Sequence, residues 1–210
     1  MTPAKIITCL ADVTPGMVLA TAGNEDLFPP WFWHWHQFKR QLAKRALYEG
    51  IREHHRDEGY NIVWPTHVSA VIDGTFEDTP HSNFFEMTYP KGRIGSILEL
   101  VGRDVAVCEP LQSIDLDVFC QNLRQLEGES YDTVELIAHF ISGKLKRNLT
   151  NRGIIDKYYR YTCSTSLSIE GFDKSGFTFP EGREPEDVSP ALYLNYPDHF
   201  KVTMLHNARI

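Results

Sequence analysis

The period of the hydrophobic pattern changes several times along this chain, and the changes divide it into blocks. Thr14-Pro-Gly-Met-Val-Leu-Ala-Thr21 reads as a turn feeding a short apolar strand. An aromatic block, Leu27-Phe-Pro-Pro-Trp-Phe-Trp-His-Trp-His-Gln-Phe38, then leads into a helical pattern that runs to about Glu58. Trp31, Trp35, Phe38, Leu42 and Ala46 repeat at three and four, while Lys39, Arg40, Lys44, Arg45 and Arg52 take the other face. After Gly59 the period shortens, and strands are expected at Tyr60–Trp64, His67–Ile72, Phe84–Met87, Ser96–Leu100 and Val105–Cys108. Val68, Ala70 and Ile72 alternate only imperfectly with Ser69 and Val71, as in a strand covered on both faces.

From Ile114 the pattern is helical again. Ser130 is placed to cap a helix whose stripe is Val134, Ile137, Ala138, Ile141 and Leu145. Beyond Gly176 four prolines, Pro180, Pro185, Pro190 and Pro197, make the chain loop-rich, and Phe177, Phe179, Leu192, Leu194 and Phe200 fold it back on the core. Helices and antiparallel strands in separate blocks predict an α+β layout. No stretch reads as a linker, so residues 1–210 are expected to form one domain.

Composition narrows the function classes. With 42% hydrophobic and 23% charged residues the chain is ordinary for a soluble globular protein, and a net charge of −7 argues against nucleic acid as a partner. Neither a signal peptide nor a membrane-spanning run is visible, so a cytoplasmic protein is expected. The four cysteines, Cys9, Cys108, Cys120 and Cys163, form no CxxC pair, which argues against structural zinc and a disulfide scaffold. His34 with His36, and His54 with His55, sit at spacings that do not share a helix face, and no metal or other cofactor is expected.

One cysteine stands apart. In Tyr158-Tyr-Arg-Tyr-Thr-Cys163-Ser-Thr-Ser-Leu-Ser-Ile169 an aromatic approach meets a thiol followed by small hydroxyl residues and a helical pattern. A thiol in the first turn of a helix faces unpaired amides and the positive end of the dipole, and both favour the thiolate nucleophile. Such a nucleophile needs an imidazole, and the imidazole needs a polar group to orient it. His67, opening a strand after Trp64-Pro-Thr66, is the candidate base. Glu86, among apolar neighbours in Phe84-Phe-Glu-Met87, is the candidate orienter, with Glu99 in Ser96-Ile-Leu-Glu-Leu100 as its rival.

The ordered set Pro15-Gly16-Met-Val-Leu, Thr66-His67-Val-Ser-Ala-Val-Ile, Phe85-Glu86-Met, Tyr131-Asp132 and Cys163-Ser164 resembles the circularly permuted papain-like hydrolases. These are relatives of the NlpC peptidases that include the YiiX-like amidases and the lecithin-retinol acyltransferases. Leu167 to Gly176 is similar to that group's glycine-terminated helix, and Val188 to Tyr193 with Tyr196 to Phe200 is similar to its closing segment. The resemblance implies an antiparallel sheet or partial barrel packed against helices, interrupted by an insertion at about residues 24–60. It also implies a hydrolase with Cys163 as nucleophile, His67 as base and Glu86 as orienter, acting through a thioacyl intermediate. Its substrates would be small peptides of cell-wall type, other amides, or acyl esters.

Three positions depart from the family pattern. Met17 stands for an acidic residue, Thr66 for serine, and Thr165 for the glutamate after Cys-Ser. The change at Thr165 keeps open an inactive binding module of the same fold. A lipid acyltransferase or thioesterase is a further alternative, in which the aromatic and basic residues of 27–58 would rest on a membrane. Tyr161, Ser164 and Thr165 are expected to line the substrate site. Tyr131-Asp132 is expected to stabilise a helix start.

Overall fold

The computed structural model describes residues 6–22, 49, 51–53, 55–56, 59–62, 64–73, 82–88, 91–130 and 162–210. Its centre is a six-stranded, wholly antiparallel open sheet of β1 (Val18–Thr21), β2 (His67–Val71), β3 (Asn83–Met87), β4 (Gly92–Ser96), β5 (Val105–Pro110) and β6 (Phe200–Leu205), in the spatial order β4-β3-β2-β1-β5-β6. The helical elements are α1 (Leu116–Gln125), α2 (Cys163–Thr165, running on as the π-helical stretch Ser166–Phe172) and the short α3 (Leu192–Asn195). The architecture is mixed α and β.

Both faces of the sheet are covered, as the imperfect alternation in His67–Ile72 requires. One face presents Val18, Ala20, Val68, Ala70, Phe85, Met87, Ala106 and Cys108 to Phe119 and Leu123 of α1 and to Cys163, Leu167 and Phe172 of α2. Phe172 is the hub of this side, with ring centroids of Phe119 at 4.9 Å, Phe177 at 5.0 Å, Phe200 at 5.7 Å and Tyr193 at 6.0 Å. The other face presents Leu19, Val71, Phe84, Val105 and Val107 to Ile7, Leu10 and Val13 near the N-terminus and to Ile97 and Leu100. Every residue of β2 is therefore buried.

The turn into β1 follows directly from its residues. Met17 N–H donates to Thr14 O at 3.2 Å, with Pro15 and Gly16 between them and Gly16 at φ +90°. Proline then left-handed glycine is the chemistry of a type II turn. A methyl group on Gly16 would lie 2.7 Å from the Leu116 side chain, so the same glycine also lets α1 approach.

Two strand expectations are corrected. Tyr60–Trp64 is not a strand in its described residues, because the amides of Asn61 and Ile62 donate to the Asn195 side chain at 3.0 and 2.9 Å instead of to a neighbouring strand. In the segment read as Ser96–Leu100, the strand is the preceding Gly92–Ser96, and Ile97–Leu100 is a 3-10 turn. Ser96 caps that turn, accepting from Leu98 N–H, while Glu99 accepts from Ser96 N–H at 3.1 Å. The tail read as loops holds an additional strand, β6, paired with β5. The helix expected after Ser130, most of the aromatic block with its basic face, Tyr131-Asp132 and Tyr161 lie outside the described residues. Of the expected insertion, 51–53 and 55–56 are helical, with Ile51 and His55 buried.

Gly16→Ala should lower the unfolding free energy by about 1–3 kcal/mol, because the turn holds this position at positive φ and Leu116 fills the space beside it. Urea denaturation checks it, with the midpoint moving down at an unchanged slope.

Candidate active site

The sheet itself assembles the polar part of the site. In the β2–β3 ladder Ala70 faces Phe85 and Val71 faces Phe84, and continuing that register sets Glu86 opposite Ser69 and diagonal to His67. The small Ser69 side chain leaves room for the diagonal contact. His67 Nε2 and Glu86 Oε2 are 2.8 Å apart, and both side chains are about 95% buried. On the next strand Arg93 pairs directly with Glu86, and its Nε donates to Glu86 Oε1 at 2.6 Å. The Arg93 Nη2 group contacts Glu86 too and donates to Glu99 Oε2 at 2.8 Å. Four charged or titratable groups thus run in a row from a buried strand start to the surface.

Burial by itself would raise the Glu86 carboxyl. The hydrogen bond from His67, the charges of His67 and Arg93 and the Arg93 hydrogen bond outweigh it, and the pKa is lowered. Glu86 is consequently a carboxylate, and the proton in the His67 contact sits on Nε2. That tautomer leaves Nδ1 as the nitrogen able to accept a proton. Arg93 is likewise desolvated, yet its pKa is raised by the two carboxylates it bridges. Of the rival orienters it is Glu86 that meets His67, while Glu99 holds Arg93 and the 3-10 turn.

Cys163 is the first residue of α2, as its sequence setting implies, and Thr162 is the cap. Thr162 Oγ1 accepts from Thr165 N–H at 3.4 Å, and Thr165 Oγ1 accepts from Thr162 N–H at 2.9 Å. Thr165 thus fills the third helical position of a capping box, where glutamate or glutamine is usual. Further along, the Ser166 hydroxyl donates to Cys163 O, and the Ser168 hydroxyl lies 2.5 Å from Pro185 O and within hydrogen-bond distance of Ser164 O and Thr165 O. Hydroxyls that bond carbonyls three and four residues back compete with the helical ladder, and here the helix widens into its π-helical stretch.

The first turn of α2 packs against β2, which brings the Cys163 backbone to the strand of His67. Cys163 belongs to the buried cluster that includes Val68 and Ala70, whereas alternation sets His67 and Glu86 on the face of Val71. A thiol–imidazole couple therefore has to form around the end of β2, at its first residue, rather than across one face. Ser164 and Thr165 are both buried, and the Thr165 hydroxyl is engaged in the cap. Burial pushes the Cys108 thiol far up, and burial with the Asp117 charge pushes Cys120 up to about 11, so both stay protonated.

Two residues escaped the sequence reading. Arg93 could have been found only through the β3–β4 register, since nothing in Gly92-Arg-Ile-Gly95 marks it. Tyr193 is fully buried in the cluster that holds Cys163, and its hydroxyl has no hydrogen-bond partner among the described residues. Burial raises its pKa well above the ordinary tyrosine value, with the neighbouring ionisable groups of Cys163, Cys108 and Tyr60 adding to the effect. Among the described residues no group of three His, Cys, Asp or Glu side chains is arranged to hold a metal ion. No described helix is long and apolar enough to cross a membrane.

The depressed Glu86 pKa makes a pH prediction. A carboxyl whose folded pKa lies below its unfolded one, near 4.5, stabilises the fold above that unfolded value. The contribution fades as pH falls through the folded pKa. Urea unfolding measured from pH 6 down to pH 3 should show this acid loss in the native protein. Glu86→Gln, which cannot ionise, should be less stable at pH 6 and should show a shallower decline.

No family model, curated protein or solved structure matches the chain.

Proposed function

We propose that this chain is a cysteine hydrolase of amide or ester bonds, with Cys163 as nucleophile, His67 as base and Glu86 as the group orienting the imidazole. The observation that carries the reading is the buried His67–Glu86 contact at 2.8 Å, placed on the strand against which the Cys163 turn packs. A structural histidine needs no ionised carboxylate, and a neutral serine or carbonyl would satisfy one at smaller desolvation cost. The ionised partner makes sense where the imidazole must become imidazolium and return.

In the proposed reaction His67 Nδ1 takes the Cys163 proton and the thiolate attacks the substrate carbonyl. Thr165 N–H and Ser166 N–H are turned to Thr162, so the amides of Cys163 and Ser164 are the candidates to steady the oxyanion. The imidazolium then protonates the leaving amine or alkoxide, leaving a thioacyl enzyme. Water, deprotonated by His67, releases the acid and restores the thiol. The permuted papain-like topology is part of the same proposal. It is supported by an antiparallel sheet in which the strand of the base precedes the helix of the nucleophile. Peptide amides of cell-wall type are the preferred substrate class and acyl esters the second, on the resemblance of motifs alone.

The capping box weakens the case for an inactive binding module. Thr165 closes the cap at the helix start, so the departure from the family glutamate leaves the setting of Cys163 intact.

Site-resolved iodoacetamide labelling tests the reading. Cys163 should be alkylated readily at pH 7, and His67→Ala should slow that alkylation by about tenfold or more. Glu86→Gln should fall between the two. Alkylation of Cys163 that His67→Ala leaves unmoved would sink the catalytic pair.

A further inference from the structure

The reach of Arg93 across two carboxylates has a consequence for the imidazole two strands away. We propose that Arg93 is a positioning residue that shares the Glu86 carboxylate with His67 and thereby lowers the proton affinity of His67, with Glu99 holding the guanidinium in place. The proposal rests on the hydrolase reading for its purpose, but its physical content, control of His67 titration by Arg93, stands or falls separately.

The geometry divides Glu86 between two donors. One oxygen, Oε2, meets His67 Nε2 at 2.8 Å, and the other, Oε1, accepts from Arg93 Nε at 2.6 Å. Both carboxylate oxygens are thereby engaged, which fixes the plane of the carboxyl group and, through it, the plane of the imidazole. The planar guanidinium then turns its remaining edge to Glu99 at 2.8 Å. Glu99 is itself held, because it accepts from Ser96 N–H in the capped turn that follows β4. Gly95 leaves the space this needs, since a methyl group there would lie 3.0 Å from Glu99 Oε1 and 2.7 Å from the Phe84 ring.

Charge counting gives the direction. An isolated carboxylate against an imidazole stabilises the imidazolium and raises its pKa. A guanidinium on the same carboxylate opposes this, first by its own positive charge and second by competing for the carboxylate lone pairs. The charged groups of this row are Glu86 on β3, Arg93 on β4 and Glu99 on the 3-10 turn; α2 carries Cys163 at the other face of β2, and Thr21 and Ser69, the neighbours of His67 toward β1 and along β2, are neutral. A base whose conjugate acid is held too strongly would not return its proton to a leaving group. Arg93 brings that affinity back toward the working range.

Arg93 is also about 43% exposed on its side chain, as is Glu99 at 41%. The row from His67 to Glu99 therefore links a buried base to the surface. Salt and charge changes at Glu99 can reach the imidazole through a single guanidinium.

The test is the titration of His67 read by imidazole NMR in the Cys163→Ser protein, with the resonance among the nine histidines assigned by its loss in His67→Ala. Arg93→Met, which keeps the stem and removes the charge, should raise the His67 pKa by about half a unit or more. Arg93→Lys should restore most of the native value, because charge rather than shape carries the effect. Glu99→Gln, which leaves the Glu86 contacts in place but frees Arg93 to bear more fully on Glu86, should move His67 slightly the other way. A His67 pKa that is unchanged in folded Arg93→Met, or that falls, overturns the proposal. Should Arg93→Met fail to fold, the Glu99→Gln titration decides, and an unmoved or raised value there overturns it equally. Failure of the hydrolase reading would appear instead in Cys163 alkylation that ignores His67→Ala.

Discussion

The buried carboxylate of Glu86 is the constraint around which the rest of this structure is arranged. A lone carboxylate between Phe85 and Met87 would lose its hydration with nothing in return, and it would respond by staying protonated. Its pKa is lowered instead, because one oxygen meets His67 and the other meets Arg93. Those partners exist only if three strands are in one register. A slip of one residue in β3 would turn Glu86 into the face of Val68 and Ala70, where Phe85 and Met87 now sit. The polar row and the two apolar faces thus specify the same alignment, and satisfying one satisfies the other.

That mutual requirement explains which parts of the fold were legible in the chain. Strands whose apolar residues pack on both sides, such as His67–Val71 and Val105–Pro110, announce themselves by composition. The Pro15-Gly16 turn does so by backbone chemistry. What misled the reading were segments whose hydrogen bonds go to side chains. Tyr60 to Trp64 has strand-like residues, but the amides of Asn61 and Ile62 are taken by Asn195, more than a hundred positions away. Ile97–Leu100 has strand-like residues too, yet Ser96 and Glu99 supply a cap that turns the chain. β6 was missed for the opposite reason, because prolines before it mask a strand whose partner, β5, is remote in sequence.

The candidate site divides along the same line. Cys163 and His67 were recognisable by position, one at a helix start and one at a strand start. Glu86 could be named but not separated from Glu99, because both are acidic residues in apolar settings. Register separates them: Glu86 sits diagonal to His67, while Glu99 sits beyond the end of β4 and reaches only Arg93. Arg93 carries no signature along the chain, since its role comes wholly from being opposite Glu86.

Thr165 occupies a position that chemistry and architecture can share. A glutamate two residues after a nucleophile invites a role in substrate binding. In this chain the position is the third helical residue, and its side chain and that of Thr162 cap each other's amides. Threonine is shorter than glutamate, but the direct contact between the two hydroxyls at 2.9 Å shows that the cap is closed over this shorter reach. The helix start is thereby held rigid where Cys163 stands, and the two amides beside it stay free of the cap. On this geometry the threonine pair builds a closed turn of its own, with Cys163 at the head of α2.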